Sequence, residues 1–352
     1  MKNKFVKFFK VLLLVFVILL LLPVVYFWAF GFIYKGSSDD GKIAYLQKHQ
    51  LSLKENCTIT DTTLFSEVNK TSVFLFGEEH GYSRTQIFDA ELLKYLNKKF
   101  GVRDYFNETF SEDADLLNKF LSTNPMDLSI LRKTIPNLKE DIPQRKNQEY
   151  VDKWVSIYQY NQTLPSDKRI KVYGLLGAKK DYKGGRDSVM IANFKRYQKE
   201  VDKSASLYCS TGYGHILQNK INDHLPFAGW LKSNKFPTVS IAHISINSMM
   251  YMPKEYGMPV PDSEETDWAN VNGPMVYFEN IVNVDKACSS SIALFRLDGS
   301  NSPYRGCLDL VRSHSALSFV QGEMIPENGK STADYYQYIF VTKNLAGPRK
   351  LK

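Results

Sequence analysis

From Val11 to Tyr34 the chain carries no charged side chain, and four lysines, Lys2, Lys4, Lys7 and Lys10, crowd the positions before that run. About 20 apolar residues suffice to cross a bilayer as a helix, so this run spans with room for tilt. Lysine is concentrated on the cytoplasmic flank of a span. On the other side only Lys35 follows closely, ahead of Asp39 and Asp40. The expectation is a single-pass membrane protein with a cytoplasmic basic tail (1–10), an anchor (11–34) and a periplasmic or extracellular bulk. A cleaved leader would carry a shorter apolar region, roughly 7–15 residues, and small residues at its cleavage site. "FWAFGFIYKGSSDD" is bulky there instead, and Tyr26, Trp28 and Tyr34 suit the headgroup layer.

Beyond the anchor the composition is that of a globular chain, since 43% of all residues are hydrophobic and 23% charged. Residues 1–40 hold five lysines and two aspartates, which leaves only +5 of the formal +8 for the remainder. No dense basic block occurs there, so nucleic acid is not an expected partner. Cys57, Cys209, Cys288 and Cys307 all follow the span, where an oxidising compartment permits disulfides. Cys288 and Cys307 bracket a loop-like stretch and form the candidate bridge, whereas Cys209 sits in an apolar run as a buried thiol. No C-x-x-C occurs, so neither a zinc ribbon nor a thioredoxin-type site is indicated.

Residues 35–70 read as a stalk and lead-in, and 71–345 as one domain. There, short apolar runs alternate with amphipathic segments. "VFLFG", "DYFNETF", "IKVYGLLG", "SLYCSTG" and "FPTVSIAHIS" read as strands, and "YYQYIFVT" as a closing strand. "TQIFDAELLKYLNKKFG", "SEDADLLNKFLS" with Ser111 as cap, "NQEYVDKWVSIYQYNQTL", "GRDSVMIANFKRYQKEV" and "LPFAGWLKSN" read as helices. That alternation predicts an α/β fold, a mainly parallel central sheet with helices on both faces, preceded by the one transmembrane helix.

In such sheets ligands sit beyond the carboxyl ends of the strands. Three strand ends deliver chemistry: Glu78 and His80 after the first, Glu108 after the second, and His215 after a Gly-rich turn in "YCSTGYGH". Two carboxylates and two imidazoles can activate water, a carboxylate orienting the imidazole that takes the proton. The same donors suit a divalent metal such as Zn, Mn or Fe, the candidate cofactor these residue types admit. Each piece also has a plain reading: Glu78 and His80 in a solvated turn, Glu108 paired to a lysine or arginine, His215 capping a helix. His49, His224 and His314 lack supporting context, and His243 in "SIAHIS" reads as a packing residue. There is no G-x-S-x-G, H-E-x-x-H or G-x-x-x-x-G-K-[ST].

"FLFGEEHG", "DYFNETFSEDADLLNKFL", "GGRDSVMIANFKRY" and "YCSTGYGHI", in this order, resemble the erythromycin esterase family within a broader group that includes ChaN-type haem-uptake lipoproteins and Tiki proteases. The resemblance covers about residues 70–245. It implies an α/β fold with a central cleft and catalysis by Glu78, His80, Glu108 and His215 without a serine nucleophile. Only Glu79 separates Glu78 from His80, a spacing similar to the haem-uptake branch, and "GAKKD" lacks an acidic residue the family places there. The expected function is a membrane-anchored hydrolase of an ester or related acyl bond in a small-molecule substrate, with Arg84 and Arg186 as substrate contacts. The alternatives are a metal-dependent hydrolase or protease and a non-catalytic haem- or iron-binding protein. If the anchor is retained, full-length protein stays in membranes washed with alkaline carbonate. A soluble chain beginning near Gly36 in the same fractionation identifies a cleaved leader instead.

Overall fold

The apolar runs that separate the amphipathic segments come together as one sheet. The structure is a computed structural model, and it describes residues 2–68, 72–202, 204–257, 259–267, 272–273, 275–316, 318 and 323–352. The first half of the chain forms α1 (Lys2–Tyr34), α2 (Asp40–Lys48), β1 (Gln50–Leu51), β2 (Val73–Glu78), α3 (Thr85–Phe100), β3 (Asp104–Asn107), α4 (Ser111–Ser122), α5 (Leu128–Arg132), α6 (Gln148–Gln162) and β4 (Lys171–Gly174). Then come α7 (Arg186–Tyr197), β5 (Leu207–Gly212), α8 (Phe227–Ser233), β6 (Thr238–Ile246), β7 (Met250–Tyr251), β8 (Glu265–Thr266) and β9 (Val276–Phe278). The chain closes with α9 (Val282–Ala287), β10 (Ile292–Arg296), β11 (Ser313–Ser315), α10 (Thr332–Tyr335) and β12 (Tyr338–Lys343).

The central sheet runs β1-β10-β12-β6-β2-β5-β3-β4. The six strands from β12 to β4 pair in parallel, and β10 alone is antiparallel to both neighbours. The mainly parallel α/β sheet is therefore present. The last strand in sequence is an interior strand of the sheet, because β10 and β1 extend the edge beyond it. β2 and β5 are buried at every position, as expected of strands covered on both faces. Phe88, Leu92 and Leu96 of α3, with Trp154 and Ile157 of α6, pack on one face. Met190 and Phe194 of α7, with Phe227 and Leu231 of α8, pack on the other. The connection leaving β2 thus covers one face and that leaving β5 covers the opposite face. The crevice between the two strands is a switch point, where this fold class places its ligands.

Local signals account for the helix ends. α3 stops at Gly101, whose φ of 68° suits a residue without Cβ, and Lys98 and Lys99 favour the dipole of its last turn. Asn147 caps α6 by accepting from Tyr150 N–H. Ser111 does not cap α4. Phe110 takes that place in extended conformation while the Ser111 N–H donates to Gly177 O, tying the chain to the exit of β4. Residues 40–51, within the stretch read as stalk and lead-in, pack onto the sheet: α2 buries Tyr45 and Leu46 in the main core, and β1 pairs with β10. α1 contains a 29-residue segment, Val6–Tyr34, long and apolar enough to cross a membrane.

The expected Cys288–Cys307 bridge is absent, and all four cysteines are free thiols. Cys288 lies at the end of α9 with its Sγ on Ser290 O, while Cys307 faces Asp309 and Lys42. Burial pushes the Cys57 thiol up to about 12, which suppresses the thiolate needed for disulfide exchange. Mass spectrometry of non-reduced, denatured and alkylated protein should accordingly find four modified cysteines and no linked peptide.

Candidate active site

At the end of β2 the chain has to pass very close to the loop that leaves β5. A Cβ on Gly77 would stand 2.3 Å from Ile216 Cγ1 and 3.1 Å from Tyr213 Cα, so only glycine admits this approach. Gly212 is confined too, though less severely, because a Cβ there would meet His80 Nε2 at 3.0 Å and Glu108 Oε2 at 3.5 Å. The exits of β2, β3 and β5 therefore converge on one point.

Glu78 forms the floor. Its carboxylate accepts from Arg145 Nε (3.1 Å) and Nη2 (2.9 Å) and from Gln86 Nε2 (2.7 Å). His80 Nδ1 lies 3.1 Å from the remaining oxygen, Oε1. Burial alone would raise the pKa of Glu78, but Arg145 and then His80 more than offset it and hold the carboxyl well below the usual range. Glu108 forms the second wall. Its Oε2 accepts the Gly212 N–H at 2.6 Å and its Oε1 accepts from Arg186 Nη1 at 2.5 Å. His215 Nε2 stands 3.7 Å from Oε1. Against burial, His215, His80 and the two arginines lower its pKa.

His215 sits in the short helical turn Tyr213–Ile216. Its Nδ1 bonds to Asp187 Oδ1 at 2.8 Å, and the other oxygen of Asp187 takes His224 Nε2 at 2.8 Å. Asp187 is itself anchored by the Phe227 N–H, 2.7 Å away. Burial disfavours charge on His215, yet the bond to Asp187 and the Glu108 carboxylate prevail, and its pKa is raised. The side chains of Glu78 and Glu108 are 1% exposed, whereas His80, Arg186 and His215 are 23%, 34% and 18% exposed. The carboxylates are thus sealed below a rim of two imidazoles and one guanidinium.

Of the residues expected from sequence, Glu78, His80, Glu108, His215 and Arg186 meet here. Arg84 does not. It occupies a left-handed conformation (φ 72°) ahead of α3, its N–H donates to Glu149, and its charge acts on Glu149 and Cys57. Glu79 turns toward β6, where its Oε2 accepts the Ser245 N–H at 2.9 Å, and burial pushes it up to about 8. His243 packs as expected, bonded to Thr342. Sequence reasoning missed Arg145, Asp141, Asp187 and His224. Arg145 is hidden in the polar stretch "DIPQRKNQ", and Asp187 follows Arg186 in a motif already singled out. Asp141 is a buried carboxyl 3.9 Å from Arg186 Nη1, pushed up to about 7 by burial and then by Glu108.

Among the described residues no group of three or more His, Cys, Asp or Glu is arranged to hold a metal ion. Arg145 and Arg186 occupy the carboxylate oxygens that such an ion would need.

No family model and no curated protein matches the sequence. Among solved structures the fold is similar to that of a Bacillus cereus protein, with a TM-score of 0.61 and 13% identity over 90% of this chain and 100% of that one. A succinoglycan biosynthesis protein matches with a TM-score of 0.60 and 11% identity over 89% of this chain and 100% of its own. An erythromycin esterase mutant in its open conformation aligns at a TM-score of 0.45 with 10% identity, over 82% of this chain and 94% of its own. At such identities the likeness extends to the fold alone.

The raised carboxyl of Glu79 has a measurable consequence. Protonated in the folded chain up to about pH 8 but ionised above about 4.5 once unfolded, it makes stability fall as pH rises through that window. Glu78 and Glu108 have the opposite sign, their contribution being lost only as pH falls below the ordinary carboxylate range. Glu79→Gln keeps the acceptor for Ser245 and removes the titration. In thermal melts the variant should match the parent near pH 4–5 and exceed it near pH 8–9, by on the order of 2–4 kcal/mol.

Proposed function

We propose that the domain is a hydrolase of an ester or related acyl bond, with water activated by the Glu/His set. The carrying observation is the convergence of Glu78 and His80, Glu108, and His215 from three strand ends at Gly212, with Glu79 turned away. His80 is the general base: its Nδ1 faces Glu78, leaving Nε2 toward the crevice to take a proton from water. Glu78 orients the ring and stabilises the imidazolium that forms. His215, favoured in its charged form by Asp187 and Glu108, sits where it can donate to the developing oxyanion and then to the leaving oxygen. Arg186, at the rim, adds a second cationic donor for that charge.

The metal-dependent reading is less well supported, because a cation would have to displace two guanidinium groups from Glu78 and Glu108. For haem, a carboxylate at Nδ1 of His80 and of His215 is no obstacle, because it leaves Nε2 as the iron-binding atom, and titration is what separates that reading. Metal analysis of the purified protein and a haem titration followed by absorbance decide between these readings. Stoichiometric metal or a Soret shift would overturn the proposal.

A panel of acyl esters assayed with the full chain provides the direct test. His80→Gln and His215→Asn should each lower kcat/KM by about 10²–10⁴-fold. Arg84→Ala should leave it unchanged. Full activity in the His80 variant would remove the proposed base and the reading with it.

A further inference from the structure

The last turns of α1 are packed into the domain. Tyr26 Oη donates to Ala316 O at 2.9 Å, the Phe30 ring lies 5.9 Å from that of Tyr277, and Tyr34 stacks on His314 at 4.0 Å. Val282 N–H donates to Lys35 O at 3.2 Å immediately afterwards. Except for that last bond, these contacts fall on or beside the antiparallel β9–β11 pair. A hydrocarbon layer of roughly 30 Å, measured from Lys10 at 1.5 Å per residue, ends about 20 residues on, near Phe30. The contacts of the β9–β11 pair with α1, from Tyr26 to Tyr34, therefore straddle the level where headgroups begin.

The same pair adjoins the site. Phe278, the neighbour of Tyr277, packs its ring 5.4 Å from Tyr213, and Tyr213 opens the turn that carries His215. A second route leads through β11: Ser313 bridges to Met324, and the next residue, Ile325, donates its N–H to Asn222, two positions from His224. Ile325 is 63% exposed, the most exposed large apolar side chain outside α1 among the described residues. Lys35 also lines a cavity of about 510 Å³ with Ile246, Asn247, Lys343 and Asn344, at the carboxyl ends of β6 and β12. Neighbouring strands are about 4.8 Å apart, so the ends of β2 and β5 lie roughly 5–15 Å further along that edge. The anchor thus leaves the domain at the edge that bears the site.

We propose that the site opens along the membrane surface and takes an amphiphile resident in the bilayer, its acyl-linked head reaching His80 and His215 while its apolar tail stays in the leaflet. This rests on the hydrolase reading for the chemistry but on α1 packing for the place. A loose tether would let the domain turn away from the bilayer. Tyr26, Phe30 and Tyr34 fix its orientation, holding the rim within headgroup reach. Confinement to the surface then raises the effective concentration of a bilayer substrate over a dissolved one.

Full-length protein in phosphatidylcholine vesicles tests place and chemistry separately. With a phosphatidylcholine carrying a headgroup-proximal diazirine, photolabel should fall on peptides spanning 213–224, 276–280 and 313–316. Label concentrated instead on 98–103 and 124–128, at the opposite edge of the sheet, overturns the placement. In parallel, a long-chain fluorogenic ester in the vesicle is compared with its short-chain counterpart in solution. The bilayer ester should turn over about tenfold faster or more, with a rate that follows its surface mole fraction. The double variant Phe30→Ala, Tyr34→Ala should lose that advantage while still cleaving the dissolved ester. Faster cleavage of the dissolved ester overturns the lipid-borne substrate and leaves the hydrolase reading standing. Label at the rim without cleavage of either ester overturns the hydrolase reading and supports the placement.

Discussion

The buried ion pair between Glu78 and Arg145 is the contact on which the site depends. Their side chains are 1% and 2% exposed, so neither charge can be satisfied by water. Breaking such a pair by removing one partner leaves an uncompensated buried charge, at a cost of about 3–5 kcal/mol. Arg145 also donates from Nη1 to Glu108 O at 3.0 Å, so one guanidinium holds the exits of β2 and β3 together. Gln86 adds a bond from α3 to the same carboxylate. The segment before α6, which carries Asp141 and Arg145, is thereby an integral wall of the site.

A second buried network lies beneath that floor. Asp89 of α3 accepts from Lys153 of α6 (2.5 Å), from Tyr105 of β3 (2.7 Å), and from Tyr208 and Ser210 of β5 (2.6 and 2.9 Å). Two helices and two strands are tied through one carboxylate, and its four donors leave little of it unsatisfied. Groups that must hold a geometry to a fraction of an ångström benefit from such support, because each rotamer is locked by its neighbours.

The two imidazoles are placed in unequal fields. His215 lies between Asp187 and Glu108, which favour its charged form. His80 faces Glu78, whose charge is shared with Arg145. The difference between them is one of environment, not of residue type. It arises from Asp187, one position after the rim arginine at the start of α7.

Much of this was legible in the residues themselves. Buried strands such as Val73–Glu78 and amphipathic helices such as Thr85–Phe100 announce themselves by periodicity and end signals, because these depend on neighbours a few positions away. The parallel order of the strands follows from their alternation with helices, and Glu78, His80, Glu108 and His215 stand at strand ends that any such sheet brings to one edge. Apart from His80 beside Glu78, the partners of these charges are not local. Glu78 and Arg145 are 67 positions apart and Asp187 and His224 37 apart, and nothing around Arg145 distinguishes it from a solvated loop cation. Arg84 looked equally suitable as a substrate contact until the chain turned it toward Glu149. Sequence alone determined where the chain could place acids and imidazoles, through period and strand ends. Tertiary structure decided which charges were sealed together, because burial sets the cost of an unpaired charge and only the folded chain defines what is buried.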